Sequence, residues 1–360
     1  MSAGGVRTLR DEVIFSVRVW LRHHLFPVTP GVIPALLILL CLARPASSTT
    51  PSFTIDEPDP STHPSFVIYG DTRFTGWQLA GKASSPWARK SLVEKIASER
   101  PEALFISGDV PFRGADFGDY EVFQKETQSW SAAHLQIFPV LGNHEFYQRD
   151  FFPSELRGLR NWWRVFPYLN GMRWYSVQIG SQIYVFCLDS EFDALQDGGA
   201  QRAWMKEQLS GLPDSIQYVL CILHHAHISD YMEDHAPAGD LERHGELTHY
   251  LEHEQEHLHA RVVVVSGHVH NYGRFERNGV TYVISGGGGA HPVFFKRRPD
   301  DKFRGKDLSF VGRPLPNYHF VRFEHWPESL KAQMVRISNP VGIGPAKWDT
   351  PDQFEIARSR

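Results

Sequence analysis

The sequence predicts an α/β fold built on mixed sheets. Three observations predict it: strongly apolar, strand-like segments recur from residue 65 onward, amphipathic helical segments separate most of them, and two pairs are close enough to form hairpins. Apolar strands between helices are typical of sheets covered on both faces. The chain has 360 residues, 42% of them hydrophobic, which is enough for a large core.

The individual elements follow from local patterns. A short apolar run bounded by polar or glycine residues indicates a strand, and apolar residues at helical spacing indicate a helix. Gly180-Ser181 predicts a tight turn between two of the strands. The expected strands are 65–69, 103–107, 136–141, 174–179, 182–188, 218–223, 262–266, 280–285, 318–324 and 330–337. The expected helices are 87–99, 117–133, 201–209 and 241–260.

Composition excludes several classes of protein. A formal net charge of −4 argues against a nucleic-acid partner, which would require a strongly basic surface. Three cysteines are too few for a disulfide scaffold, and Cys187 and Cys221 are expected to be buried thiols. An aromatic content of 13% argues against disorder. The 19 histidines direct attention to metal binding.

The N-terminal part is expected to be separate from the fold. An apolar run at 31–43 follows several arginines and precedes small residues, which predicts a signal peptide within 1–48 and a secreted or periplasmic protein. The alternative is an uncleaved membrane anchor with the domain outside. A Pro-, Ser- and Thr-rich linker is expected at 49–64, the main domain at 65–290, and an extension with a closing hairpin at 291–360.

Five of the apolar segments end in residues that can bind metals. Sites in open α/β sheets form at the carboxyl ends of strands, so these residues should converge. Glycine precedes four of the five groups and allows a sharp turn and a close approach. The groups are Gly70-Asp71, Gly108-Asp109, Gly142-Asn143-His144-Glu145, His224-His225 and Gly267-His268-Val269-His270.

The residue types indicate the chemistry of the site. Carboxylate, amide oxygen and imidazole suit Zn, Mn or Fe, and no cysteine joins them. Two aspartates with three or more histidines exceed the needs of one ion. Two metals about 3.5–4 Å apart can clamp a phosphate and generate hydroxide for in-line attack.

The order of these motifs resembles the calcineurin-like metallophosphoesterase superfamily, nearest to secreted bacterial members related to purple acid phosphatases. The resemblance extends from about Phe66 to Gly289. It implies a four-layer α/β/β/α sandwich with two mixed sheets. It also implies hydrolysis of small phosphorylated substrates by hydroxide at a centre of two divalent or mixed-valence ions of Fe, Zn or Mn. No protein partner is expected.

The resemblance also implies a role for each site residue. Asp109 should bridge both ions, with Asp71 and His270 on the first and Asn143, His224 and His268 on the second. His144 should face the phosphate, where it would stabilise charge or protonate the leaving group. For His225, a supporting role behind the ligands and a substrate contact are both open.

Two positions depart from the pattern of the family. Arg73 stands where many members have a histidine ligand, and Phe112 stands where purple acid phosphatases have a tyrosine ligand. Neither side chain has a lone pair for a metal. The first ion is therefore expected to bind more weakly. Arg73 could bind a phosphate through its planar fork, or pair with a nearby acid.

Two other functions are open. His253, Glu254 and His257 match the zinc-protease pattern H-E-x-x-H, with Glu276 as a third ligand. The surrounding segment is polar on all sides, which is more typical of a solvated helix than of a buried zinc site. Alternatively, the domain could bind metal without turnover. The sequence does not identify the substrate.

Overall fold

Two mixed β-sheets form the centre of the computed structural model. The model describes residues 49–56, 63–148, 153–191, 194–229, 239–292, 307–309, 316–340 and 342–359. The expected signal peptide or anchor at 1–48 lies outside these residues. From Thr49 onward the described chain forms one compact unit.

Fifteen strands are present among the described residues. They are β1 Phe53–Ile55, β2 Ser65–Tyr69, β3 Ala103–Ile106, β4 Gln136–Pro139, β5 Tyr175–Ile179, β6 Ile183–Cys187, β7 Tyr218–Leu223, β8 Arg261–Ser266, β9 Tyr272–Arg277, β10 Val280–Ser285, β11 Leu308–Ser309, β12 His319–Trp326, β13 Ser329–Ile337, β14 Trp348–Asp349 and β15 Gln353–Ala357. The helices are α1 Trp77–Ala83, α2 Pro86–Glu99, α3 Phe117–Glu126, α4 Gln128–Ala132, α5 Glu155–Val165, α6 Ala200–Ser210 and α7 Gly239–Gln255. Short 3₁₀ turns occupy Asn143–Glu145 and Pro167–Leu169.

Each sheet combines parallel and antiparallel pairs. The eight-stranded sheet has the order β1-β5-β6-β7-β8-β10-β9-β11, and its strands β6, β7, β8 and β10 are parallel to one another. The seven-stranded sheet has the order β14-β13-β12-β2-β3-β4, with β15 on β13, and its strands β2, β3 and β4 are parallel. The predicted hairpins β5–β6 and β12–β13 are both present.

Alternate residues of the central strands pack on opposite sides of the eight-stranded sheet. In β7, Leu220 and Ile222 belong to the large core shared with the other sheet, whereas Val219 and Cys221 belong to a second apolar cluster. Residues of α6 and α7 complete that second cluster, and residues of α2 pack with the seven-stranded sheet. Helices therefore cover each sheet, and the predicted α/β fold with two mixed sheets is confirmed.

The domain boundaries differ from the expected ones in two places. Phe53–Ile55, expected to be linker, form β1 and pair in parallel with β5. The hairpin at 319–337, expected to be an extension, pairs through β12 with β2 in the centre of the seven-stranded sheet. The C-terminal part thus completes a sheet of the main domain. Such pairing joins residues far apart in sequence, so local patterns did not indicate it.

Some elements were not expected at all. No helix was expected between residues 146 and 173, but this stretch contains α5 and a 3₁₀ turn. The strand Tyr272–Arg277 was also missed, because its charged residues hide the alternation. Cys187 and Cys221 are buried free thiols, as expected. Within the described chain, no helix has both the length and the apolar character needed to cross a membrane.

Candidate metal centre

The five strand ends bring the predicted ligands to one place. Asp71 follows β2, Asp109 follows β3 and Asn143 follows β4, all at the same edge of the seven-stranded sheet. His224 and His268 follow the neighbouring strands β7 and β8 of the other sheet. His270 lies two residues beyond His268. The edges of the two sheets together thus form the site.

Four residues of the site have left-handed backbone conformations. The φ angles are +60° at Asp71, +48° at Arg73, +55° at Asp109 and +66° at His268. Non-glycine residues adopt this region at a cost of about 1–3 kcal/mol each, and such residues cluster at functional sites. The surrounding fold therefore holds these four side chains in positions that the isolated loops would not favour.

The glycines before the ligands allow the loops to approach one another. Gly108 has a φ of +88°, and a Cβ there would lie 2.5 Å from His224 Nδ1. A Cβ on Gly267 would lie 2.6 Å from Asp71 Oδ2. A side chain at Gly108 would therefore displace His224, and one at Gly267 would displace Asp71. This confirms the close approach expected from the sequence.

His224 is at the centre of one group of ligands. Its Nδ1 lies 2.9 Å from the carbonyl oxygen of Ser107, so Nδ1 carries the hydrogen and Nε2 presents a lone pair. That Nε2 lies 3.0 Å from Asn143 Oδ1, 3.3 Å from Asp109 Oδ1 and 3.2 Å from His268 Nδ1. The oxygens of Asn143 and Asp109 are acceptors, and the lone pair of His224 Nε2 repels them unless a cation or a proton lies among these atoms. This group therefore fits the second metal.

Asp71 and His270 form a second group. Asp71 Oδ1 and His270 Nε2 lie 3.4 Å apart. Both atoms are buried, and neither has a hydrogen-bond partner within the described chain. Such buried polar atoms are rare unless they bind an ion or water. His270 Nδ1 lies 2.7 Å from the carbonyl oxygen of His291, which directs Nε2 towards Asp71. These residues fit the first metal.

Asp109 lies between the two groups. Ligand atoms of Asp71, Asp109 and His224 lie within 4.8 Å of one another. Burial raises the pKa of the Asp109 carboxyl, but His224, His144 and Arg73 hold that pKa well below its usual range. Burial raises the pKa of Asp71 to about 7, because the lowering effects of His224 and Arg73 do not offset it. A bound cation would favour the charged form of both carboxyls.

His144 is held beside the ligands by its backbone and its ring. Its N–H donates to Asp109 Oδ1 at 3.0 Å, and its Nδ1 lies 2.7 Å from the carbonyl oxygen of Phe112. The rings of Phe112 and His144 stack with centroids 5.2 Å apart. His144 Nε2 therefore faces the site, 3.9 Å from Asp109 Oδ2. Burial lowers the pKa of His144 to about 3.

Arg73 and His225, the other two predicted catalytic residues, also lie beside the ligands. Arg73 donates to Asp109 Oδ2 from both Nε and Nη2, so it pairs with an acid. His225 Nδ1 lies 3.0 Å from Ser190 Oγ, and the His225 ring lies 4.6 Å from that of His268. His225 therefore packs against His268, one of the proposed ligands.

Glu145 organises the site, although the sequence pattern predicted no role for it. Its buried carboxylate accepts three backbone N–H groups: Asp109 at 3.0 Å, Val110 at 2.8 Å and Gly142 at 2.7 Å. It therefore ties the loop after β3 to the loop after β4. The available signal was its position two residues after Asn143. His227, three residues after His224, is also buried.

The protease pattern, which extends from the last turn of α7 into the turn that follows Gln255, is exposed to solvent. His253 and His257 gather with Glu256, and all three side chains are exposed. The carboxylate that joins the two imidazoles is therefore Glu256, and the expected third ligand, Glu276, is not part of the group. A zinc protease needs its metal in a protected cleft. The geometry of α7 does not support that function.

We expect Glu254→Gln to leave phosphoester hydrolysis and metal content unchanged. Glu254 is the residue that would act as the base in a protease, and it lies on a helix that carries none of the ligands described above. The measurement is hydrolysis of an aryl phosphate together with elemental analysis of the purified variant. Loss of the main hydrolytic activity would revive the protease hypothesis.

The comparisons with known proteins agree with this geometry. The family profile of calcineurin-like phosphoesterases matches residues 65–272. The chain belongs to the calcineurin-like phosphoesterase family, a class of metal-dependent phosphoester hydrolases, typically with two metal ions. The predicted family is therefore confirmed. A comparison with curated proteins gives no significant match.

Solved structures share the fold at low sequence identity. Purple acid phosphatase PPD1 from yellow lupin (Lupinus luteus) seeds has a TM-score of 0.57 and 17% identity, over 84% of this chain and 55% of the lupin chain. A dimetal phosphatase from Danio rerio has a TM-score of 0.51 and 14% identity, over 84% of this chain and 100% of the other. GAP50, the anchor in the inner membrane complex of Plasmodium, has a TM-score of 0.52 and 12% identity, over 83% and 90%. The chain thus spans about half the length of the lupin enzyme.

Proposed function

We propose that the protein hydrolyses small phosphate esters at a centre of two metal ions bridged by Asp109. The observation that carries this proposal is the pair of ligand groups on either side of Asp109. On one side, His224 Nε2 lies within 3.3 Å of Asn143 Oδ1, Asp109 Oδ1 and His268 Nδ1. On the other side lies the buried pair of Asp71 and His270. When bound, two ions of the Zn, Mn or Fe class would polarise the phosphate and activate the attacking water.

The protein groups around the centre have separate tasks. Asp71 and His270 would hold the first ion, and Asn143, His224 and His268 the second. Glu145 fixes the distance between the loops after β3 and β4 through its three backbone hydrogen bonds. This positioning keeps the carboxylate of Asp109 between the two ligand groups.

His144 and Arg73 are the groups best placed to meet a substrate. His144 has one ring nitrogen fixed by a backbone carbonyl, so its other nitrogen faces the site. Because Nδ1 donates to that carbonyl, Nε2 must gain a proton, which the negative charge of a bound phosphate would favour, to stabilise the developing charge or protonate the leaving group. Arg73 keeps 16% of its side chain exposed and lies directly beside the bridging carboxylate. A phosphate at the centre would lie within reach of both residues.

A metal-binding module without turnover is the alternative. GAP50 is the anchor in the inner membrane complex of Plasmodium, and this fold is therefore compatible with functions other than hydrolysis. Against this alternative, the chain retains both ligand groups as well as His144 with its fixed ring. A module that only binds metal has no need of the latter.

Metal removal tests the proposal. We expect the purified protein to hydrolyse an aryl phosphomonoester or diester, to lose this activity after dialysis against a chelator, and to regain it when Mn²⁺ or Zn²⁺ is added. Elemental analysis before and after dialysis gives the number of ions bound. Hydrolysis that survives complete metal removal would contradict the proposal. A metal-loaded protein that turns over neither substrate would favour the non-catalytic module.

A further inference from the structure

A fixed positive charge lies next to the first ligand group. Arg73 follows Asp71 by two residues, and its Nε and Nη2 lie 3.3 Å and 3.1 Å from Asp109 Oδ2. Both donors use the same oxygen, while Asp109 Oδ1 faces His224. One oxygen of the bridging carboxylate is therefore engaged by an internal cation.

Hydrogen bonds hold the backbone of Arg73 in place. The backbone N–H of Arg73 donates to the Asp109 carbonyl at 2.9 Å, and the Arg73 carbonyl accepts from Ser84 Oγ at 2.9 Å. The buried Arg89 guanidinium also reaches that carbonyl, at 3.4 Å. These contacts and the left-handed φ of Arg73 fix the backbone from which its side chain extends towards Asp109.

We propose that Arg73 competes with a metal ion for Asp109 and thereby sets the affinity of the Asp71–His270 position. This inference rests on the proposed function. A guanidinium and a metal ion are both cations, so they repel each other at short range, and each would bind Asp109 Oδ2. The position beside Arg73 thus binds its ion more weakly than the group around His224, because Arg73 engages Asp109 Oδ2 whereas His224 faces Asp109 Oδ1.

Two other roles of Arg73 lead to different expectations. If the residue only orients Asp109, a neutral replacement should weaken metal binding, because the carboxylate loses a partner. If the first position is weak only because a ligand is missing, a neutral replacement should have no effect, and only a histidine at this position should help. Competition predicts that the neutral residue itself tightens binding.

The test uses Arg73→Met and Arg73→Gln, with Arg73→His as the variant that adds a ligand. Arg113→Met is the matched control: Arg113 is 15% exposed in its side chain, close to the 16% of Arg73, and pairs with Asp119 rather than with a ligand. The metal-depleted full chain is titrated with Mn²⁺ by calorimetry without substrate. Elemental analysis of the loaded protein gives the stoichiometry.

We expect Arg73→Met and Arg73→Gln to tighten the weaker of two Mn²⁺ sites by at least about tenfold, because a competing charge is removed. The Arg113→Met protein should match the wild type. Unchanged or weaker binding in both neutral variants would overturn the inference, as would a gain confined to Arg73→His. Wild-type hydrolysis is scored separately, so a chain that binds two ions without turnover refutes the proposed function and leaves this inference standing.

Discussion

Asp109→Asn is expected to remove metal from both positions and to abolish hydrolysis. Asp109 is the carboxylate that lies between the two ligand groups, and its neighbours His224, His144 and Arg73 hold its pKa well below the usual range. Loss of supporting partners alone typically weakens metal binding 10–100-fold, so loss of the bridging charge should weaken it by more than about 100-fold. Without its ions the protein should hydrolyse an aryl phosphate at least about 10³-fold more slowly.

Asp119→Asn is the matched control for this experiment. Asp119 is also a buried aspartate paired with an arginine, Arg113, and it accepts a hydrogen bond from Thr75 Oγ1 at 2.8 Å. It contacts none of the proposed ligands. This variant should keep its metal and its activity, which separates a loss of ligand from a general loss of structure. Full metal content and full activity in Asp109→Asn would refute the two-metal scheme.

His144→Ala should keep the metal ions and slow hydrolysis by about 10²–10⁴-fold, the usual contribution of a positioned acid–base group. The metals should stay because the contact of residue 144 with Asp109 Oδ1 is made by the backbone N–H, which alanine retains. The imidazole side chain, which alanine removes, presents its Nε2 to the centre. The measurement is the hydrolysis rate together with metal stoichiometry.

The leaving group distinguishes the two roles open to His144. If its side chain protonates the leaving group, the defect should shrink for aryl esters whose phenols are good leaving groups. If it stabilises charge on the phosphate, the defect should be similar across the series. A variant that loses its metal, or one with unchanged rates for every ester, would contradict a direct catalytic role.

Local patterns predicted most of the strands that carry the site because those strands are buried on both faces. Segments such as Val262–Ser266 and Tyr218–Leu223 are almost uniformly apolar, so they are recognisable without knowledge of their neighbours. The strands at Phe53–Ile55 and Tyr272–Arg277 were missed for the opposite reason. The former is only three residues long, the latter carries charged residues, and each acquires its identity from pairing with another strand.

The sequence by itself determined the strand ends and the types of metal-binding residue, because each of these depends on neighbouring positions in one short segment. It also determined the family, because the order of those segments along the chain indicates it. Only the tertiary structure decided what Arg73 and Glu145 contact. Arg73 meets Asp109 across 36 residues of sequence, and Glu145 reaches the backbone of the same loop across 36 and 35 residues. These contacts exist because β2, β3 and β4 lie side by side in parallel and end at one edge, which brings their loops together.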